Sequence, residues 1–247
     1  MKYNNIFIVG IGRVADKCLA IASSFFNQHV QKISFTDSFK ADSFFNKLEN
    51  SLIISANNFY IFKEEAIDKN TIINYHNSLL PRHRGAGAHI WSVYENDFES
   101  GITWHLVDNG IDTGDIIVQE KIILDDNITS GKLLYKQHEL AISSFELCLH
   151  KLQSNDFISN NWDSNMLSSI HKKKDIPNNG ILDLTWDKKK ISSFLRSMNI
   201  GIFKTIPLPQ IILFSNKYEI ISYEITNNSI VLNLYNQNNI KITIDNL

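Results

Sequence analysis

The chain has 247 residues, of which 43% are apolar and 20% charged, and 24 Lys and Arg face 26 Asp and Glu for a formal net charge of −2. That length and apolar content suit one α/β domain with a small second unit, and the charge excludes the strongly basic surface of a nucleic-acid-binding protein. No apolar run reaches the roughly 18 residues of a membrane-spanning helix, which excludes a membrane partner of that kind.

The first residues carry one lysine and a very short apolar run, too short for a signal peptide, so Ile6 to Gly10 is read as a first strand and a cytoplasmic location is expected. Gly10-Ile11-Gly12-Arg13 closes it, and Leu19, Ala22, Phe25 and Phe26 then recur at helical spacing from about Val14 to Phe26. Gly10, Gly12 and Ala15 between strand and helix match a dinucleotide-binding turn, with Asp37 as the candidate ribose acid. The competing reading is a tight turn that needs glycine whatever it binds. His29 to Thr36 alternates like a strand, residues 38–49 are helical in pattern, and Leu52 to Ala56 and Ile72 to His76 are short buried strands. The two cysteines, Cys18 and Cys148, fit no metal spacing and are expected to be free buried thiols.

A loop rich in Pro, Arg and Gly follows, then a helix around His89 to Glu95. Two strands come next, Ile102 to Val107 and Asp115 to Ile123. Ser130 to Leu152 has the clearest helical pattern, with Thr129 or Ser130 as its cap. After about residue 153 the texture changes: loops, a helix over Lys188 to Met198, then alternating runs at Tyr218–Ile225, Ile230–Tyr235 and Ile240–Ile244. The expected fold is therefore α/β. A Rossmann-like, mostly parallel sheet covered by helices on both faces occupies residues 1–153, and a helix with antiparallel strands occupies residues 154–247. Ligands of such open sheets bind beyond the carboxyl ends of the strands. The alternation at residues 218–244 offers a sheet edge for pairing with a second copy, so a homodimer is expected.

Chemistry concentrates in two segments. In Asn74-Tyr75-His76-Asn77-Ser78-Leu79-Leu80-Pro81, the Asn74 amide and the His76 imidazole lie two residues apart, which puts both on one face of a strand end. In Asp108-Asn109-Gly110-Ile111-Asp112-Thr113-Gly114-Asp115, three aspartates lie in a glycine-flanked loop, either as turn formers or as carboxylates able to orient an imidazole.

Asn-x-His-x-Ser-Leu-Leu-Pro, then Arg84-Gly85, Gly101-Ile102-Thr103-x-His105 and Ile111-Asp112-Thr113-Gly114-Asp115-Ile116, in this order, resemble the folate-dependent formyltransferases. The likeness is dense over residues 71–123 and thinner before them. Two departures stand out: Asn77 where relatives often have proline, and Ala88 near a proline of many relatives. The resemblance implies a catalytic trio of Asn74, His76 and Asp112. It implies 10-formyltetrahydrofolate as co-substrate and no metal. The folate would lie against Phe59 and Ile61 of one loop and Val107, Asp108 and Ile111 of another. The β-rich tail resembles that of bacterial sugar N-formyltransferases, which act on nucleotide-linked amino sugars, often dTDP-4-amino-4,6-dideoxyglucose, for surface polysaccharide (O-antigen) synthesis. Arg82, Arg84 and Arg196 are then candidates for the diphosphate, and Trp91 and Tyr94 for the base. Alternatives are an amino-acid-derived amine or methionyl-tRNA as acceptor, or a binding protein without turnover.

Overall fold

In the computed structural model, residues 3–158, 168–226, 229–236 and 238–245 are described. In chain order they form β1 (Ile6–Val9), α1 (Gly12–Phe26), β2 (Val30–Ile33), α2 (Ser38–Phe45), β3 (Leu52–Ser55), α3 (Glu64–Lys69), β4 (Thr71–His76), β5 (Arg84–Gly85), α4 (Ala88–Tyr94), β6 (Glu99–Leu106), β7 (Ile116–Ile123), α5 (Ser130–Ser154), β8 (Ile170–His171), β9 (Ile181–Leu182), α6 (Lys188–Met198), β10 (Gln210–Leu213), β11 (Asn216–Ile225), β12 (Ser229–Asn236) and β13 (Asn238–Asp245). No helix among the described residues is long and apolar enough to cross a membrane.

Two compact units interleave along the chain. One comprises residues 1–85, 101–122 and 136–170, the other residues 86–100, 123–135 and 171–247. The first holds a six-stranded sheet ordered β2-β1-β3-β4-β6-β7. β2, β1, β3 and β4 pair in parallel, and β6 joins β4 antiparallel. Strand parity sorts the apolar side chains onto its two faces. Ile6, Ile8, Leu52, Ile54, Ile73 and Tyr75 enter one core with Cys18, Trp104, Phe145 and Cys148. Phe7, Val9, Ile53 and Ile72 enter another with Ala41, Phe45, Phe62 and Ala66. Burial on both faces explains why these strands read as continuous apolar runs. Cys18 and Cys148 are free and buried, and burial pushes both thiols up.

The second unit carries a five-stranded sheet ordered β13-β12-β11-β10-β9. β10 to β13 run antiparallel, and α6 packs with Ile191, Phe194, Leu195 and Met198 against Ile211, Ile220, Ile230, Leu232 and Leu234. Asp187 caps α6, its carboxylate accepting from the Lys190 amide at 2.8 Å. In α5 the cap is Thr129, whose hydroxyl accepts from the Lys132 amide at 3.3 Å.

The expected α/β class is what the structure has, and the parallel sheet, the long helix and the β-rich tail are all present. Five elements escaped the sequence pattern: α3, with six residues, β5, β8 and β9, with two each, and β10, with four.

The glycine turn at the start of α1 has a structural explanation. A Cβ on Gly10 would lie 1.8 Å from the Ala56 carbonyl oxygen, and the backbone there has φ +150. Asp37, the candidate ribose acid, instead caps α2, accepting from the Phe39 amide at 2.8 Å. Such a cap contributes about 1 kcal/mol and occupies the carboxylate. Gly10→Ala is therefore expected to destabilise the fold by about 1–3 kcal/mol through overpacking. Chemical denaturation measures this, and an unchanged midpoint would remove the packing explanation.

Candidate active site

The Asn74, His76 and Asp112 side chains belong to the first unit, and β4 positions two of them. Its parity places Ile72, Asn74 and His76 on one face and Ile73 and Tyr75 on the other. The antiparallel partner β6 sets Asn74 opposite His105 and His76 opposite Thr103. Asn74 Nδ2 consequently lies 3.1 Å from His105 Nε2.

Asp112 reaches the same place from the loop between β6 and β7. Its Oδ2 lies 3.4 Å from His76 Nδ1, and its Oδ1 lies 3.4 Å from His105 Nε2. The backbone at Asp112 is left-handed, with φ +50, a conformation that costs a non-glycine residue energy and so points to a fixed role for the side chain. Gly85 donates its amide N–H to Asp112 Oδ2 at 2.7 Å. The His83 carbonyl oxygen lies 2.9 Å from His76 Nε2. The short stretch from His83 to Gly85 thus grips the carboxylate with a donor and the imidazole with an acceptor. That stretch is itself held, since Ser169 Oγ accepts the His83 amide at 3.1 Å and the Ser169 carbonyl accepts the Arg84 amide at 2.8 Å.

Buried polar bonds fix the loop after β4. The Thr103 hydroxyl donates to the Ser78 carbonyl at 2.7 Å, and Gln119 Nε2 donates to the Leu80 carbonyl at 2.9 Å. Gln137 Nε2 donates to the Asn77 carbonyl at 2.8 Å. The last of these bonds holds the backbone at Asn77 directly.

Burial and charge oppose one another here. His76 is 5% exposed, and its burial pushes the imidazole pKa below the ordinary 6.5, against the opposing pull of Asp112. Burial works against the Asp112 carboxylate as well. Its two imidazole neighbours and the Gly85 amide outweigh that cost and hold it well below the usual carboxylate range.

The remaining sequence candidates fall as follows. Phe59 and Ile61 are 70% and 63% exposed, so neither plugs the core. Val107 and Tyr60 pack against the apolar cluster that contains Phe62, which brings the loop after β3 and the loop after β6 onto one cluster. Asp108 shapes its own turn, accepting from the Thr113 hydroxyl at 2.6 Å and the Gly110 amide at 3.1 Å. Ile111 is half-buried, as are Arg82 and Arg84, and Arg84 Nε is enclosed without a partner. In the second unit, Trp91 stacks on His171 with centroids 4.0 Å apart, and Lys190 Nζ sits 3.2 Å from the Tyr94 ring centroid. Arg196 differs from expectation. It is 7% exposed and donates to the Ile128 carbonyl and to Asn96 Oδ1, both at 3.0 Å, so an anion would have to displace those bonds.

Three contributors had no assigned role in the sequence reading: His105, the His83 carbonyl and the Gly85 amide. For His105 the signal was present, because Thr103 and His105 repeat on β6 the two-residue spacing of Asn74 and His76. Backbone groups leave no such mark.

A family model described as formyl transferase matches residues 21–146. GDP-perosamine N-formyltransferase from Brucella melitensis biotype 1 is 29% identical over 126 residues, 51% of this chain and 47% of that protein. Methionyl-tRNA formyltransferase from Desulfotalea psychrophila is 32% identical over 127 residues, 51% of this chain and 39% of that protein. The match thus spans less than half the length of these curated relatives. Among solved structures, WlaRD, a sugar 3N-formyl transferase in the presence of dTDP and 5-N-formyl-THF, superposes with TM-score 0.73 at 23% identity over 94% of both chains, a likeness of fold.

The depressed pKa of Asp112 has a measurable consequence. Any stability the carboxylate contributes is complete above its ordinary value of 3.8 and is lost as pH falls through the window beneath it. Asp112→Asn, which tolerates a left-handed backbone, is expected to keep the fold and to show a shallower loss of stability below pH 3.8. Urea midpoints across that range measure it, and identical slopes for the two proteins would contradict the proposed ionisation.

Proposed function

The chain belongs to the formyl transferase family, and from that premise we propose that it transfers a formyl group from 10-formyltetrahydrofolate to the amino group of a nucleotide-linked amino sugar. The observation that carries this reading is that the Asp112 carboxylate lies 3.4 Å from both His76 Nδ1 and His105 Nε2, while the Asn74 amide, one strand residue pair away from His76, lies 3.1 Å from the same His105 nitrogen.

The folate supplies a formyl group activated for transfer. The chain's own residues then have three tasks. Asn74 Nδ2 donates to the formyl oxygen as charge gathers on it, a donor whose loss costs about 100- to 1000-fold in rate in comparable acyl-transfer sites. His76, kept neutral by burial, takes the proton that the attacking amine sheds. Asp112 orients the His76 ring and stabilises the charge it acquires. Exposed Phe59 and Ile61, on a loop that shares an apolar cluster with Val107, fit a flat ring system, so the loops at 56–62 and 107–112 form the folate wall in this reading.

For the acceptor we take dTDP-4-amino-4,6-dideoxyglucose, in a cytoplasmic pathway toward surface polysaccharide. The support for a dTDP-linked sugar is the length-matched fold likeness to a sugar 3N-formyl transferase that carries dTDP; the 4-amino position comes from the sequence resemblance. Arg82 and Arg84 serve the diphosphate and Trp91 and Tyr94 the base. Arg196 is the weakest of these assignments, given its internal bonds. A homodimer through the tail sheet completes the proposal, supported by exposed Ile221, Tyr235 and Ile240.

The deciding experiment mixes the purified protein with 10-formyltetrahydrofolate and, separately, the dTDP-linked 4-amino sugar, its 3-amino isomer and a GDP-linked 4-amino sugar, and follows tetrahydrofolate release and product mass. Turnover with the first is expected. Turnover with another of the three moves the acceptor but keeps the reaction, and release with none of them overturns the sugar reading. His76→Asn and Asp112→Asn should lose most turnover while remaining folded. Because the base must be neutral, kcat/KM is expected to rise with pH through a midpoint below 6.5. Asp112→Asn removes a charge that holds the His76 pKa up, so its residual activity should show an acid limb moved to still lower pH. An acid limb moved upward would contradict the assigned roles.

A further inference from the structure

We infer that His105 is a positioning residue for Asn74. It accepts one of the two Asn74 amide hydrogens and thereby turns the other toward the oxygen that gains charge. The inference rests on the formyl-transfer reading of this site.

His105 Nδ1 lies 2.7 Å from the Leu106 carbonyl oxygen. A carbonyl can only accept, so Nδ1 carries the hydrogen. In the neutral ring that leaves a lone pair on Nε2. Asn74 Nδ2 lies 3.1 Å from Nε2 and donates into it. A primary amide is planar, and its two N–H bonds diverge by a fixed angle of about 120°, so anchoring one fixes the direction of the other. The terminal torsion of asparagine has two broad wells related by a half-turn. In the wrong well the Asn74 carbonyl oxygen would replace the donor, and an acceptor would face the developing negative charge.

His105 decides between these wells because Nε2, as a lone pair, accepts the amide hydrogen and repels the amide oxygen. Water cannot substitute easily, since the ring is only 2% exposed. The strand register makes the placement firm: Asn74 and His105 are direct partners in the β4–β6 ladder. Asp112 Oδ1, at 3.4 Å from the same Nε2, sets the alternative. A ring carrying hydrogens on both nitrogens would donate to Asp112 and set one N–H against another at Asn74. The orienting state is thus the neutral Nδ1–H tautomer, in which Nε2 serves Asn74 and Asp112 keeps the Gly85 amide at Oδ2; the same nitrogen, once it carries a hydrogen, serves Asp112 instead.

Two variants separate this role from simple packing. His105→Leu fills the space without an acceptor, whereas His105→Gln offers an amide oxygen in its place. Relative to wild type, His105→Leu is expected to lower kcat by about 10- to 100-fold, less than outright loss of the Asn74 donor. The KM values for folate and acceptor should stay within about twofold, and His105→Gln should recover part of kcat. In an Asn74→Ala background, His105→Leu should change the rate by less than about threefold, since its effect passes through Asn74. An equal loss in both backgrounds, or a loss confined to KM, would overturn the inference. A nitrogen-15 spectrum of the imidazoles near neutral pH supplies an arm that needs no turnover. A protonated Nδ1 and a hydrogen-bonded, unprotonated Nε2 on His105, the latter shifting in Asn74→Ala, is the expected result. A protonated Nε2, or no shift on removing Asn74, would overturn it. Should the wild type transfer no formyl group, the reaction reading falls, while this spectrum still decides the His105–Asn74 bond.

Discussion

The antiparallel pairing of β4 with β6 is the constraint on which the site depends. The four strands before β6 in the sheet order run parallel, and parallel neighbours are joined by helical crossovers that keep their ends apart in sequence. Reversing direction at β6 sets Asn74 opposite His105 and His76 opposite Thr103 in one register. A slip of one residue would turn Asn74 and His76 toward the other face, where Ile73 and Tyr75 now fill the core. The apolar alternation that buries Ile73 and Tyr75 therefore also fixes the direction of the polar pair. Core packing and site geometry are enforced by the same register.

Around that register the charges are arranged so that each buried group has a partner of the opposite kind. A buried carboxylate is costly when isolated. Asp112 avoids isolation through the His76 imidazole and the Gly85 amide, and the left-handed backbone at 112 is the strain accepted to bring its oxygens there. His83 also has a left-handed backbone, φ +52, and its carbonyl faces His76. Strain at both positions serves one end: the imidazole is clamped between an acceptor and an anion while burial still lowers its pKa. An imidazole buried this way stays neutral near neutral pH and has a carboxylate beside it for any proton it gains.

Much of this could be read before the structure, and the reasons differ by residue. Parity alone put Asn74 and His76 on one face, because strand geometry has a period of two and needs no tertiary information. Asp112 came from motif order, not from any local rule, since three aspartates in a glycine-rich loop are ordinary turn formers and Asp108 proves to be one. Arg196 illustrates what sequence hides. A lone arginine on an amphipathic helix suggests anion binding, but its partners, the Ile128 carbonyl and Asn96, lie far away along the chain. Asp37 was ambiguous for a different reason, because a carboxylate before a helix suits a cap and a ribose equally well. The short α3, β5, β8, β9 and β10 escaped because a pattern of two to six residues carries too few periods to be recognised.

All four side chains of the site, and the backbone groups that hold them, lie within the first unit, on residues 74–112. The family match covers the same stretch and extends from residue 21 to residue 146. Relatives sharing that stretch are named for acceptors as unlike as a GDP-linked sugar and methionyl-tRNA. In the proposed reaction a donor, a base and an orienting anion act on the formyl carbon and the attacking nitrogen, which are common to every acceptor amine. Nothing in that chemistry depends on the sugar, base or phosphate several bonds away. Acceptor choice must therefore rest on residues that touch those distant groups.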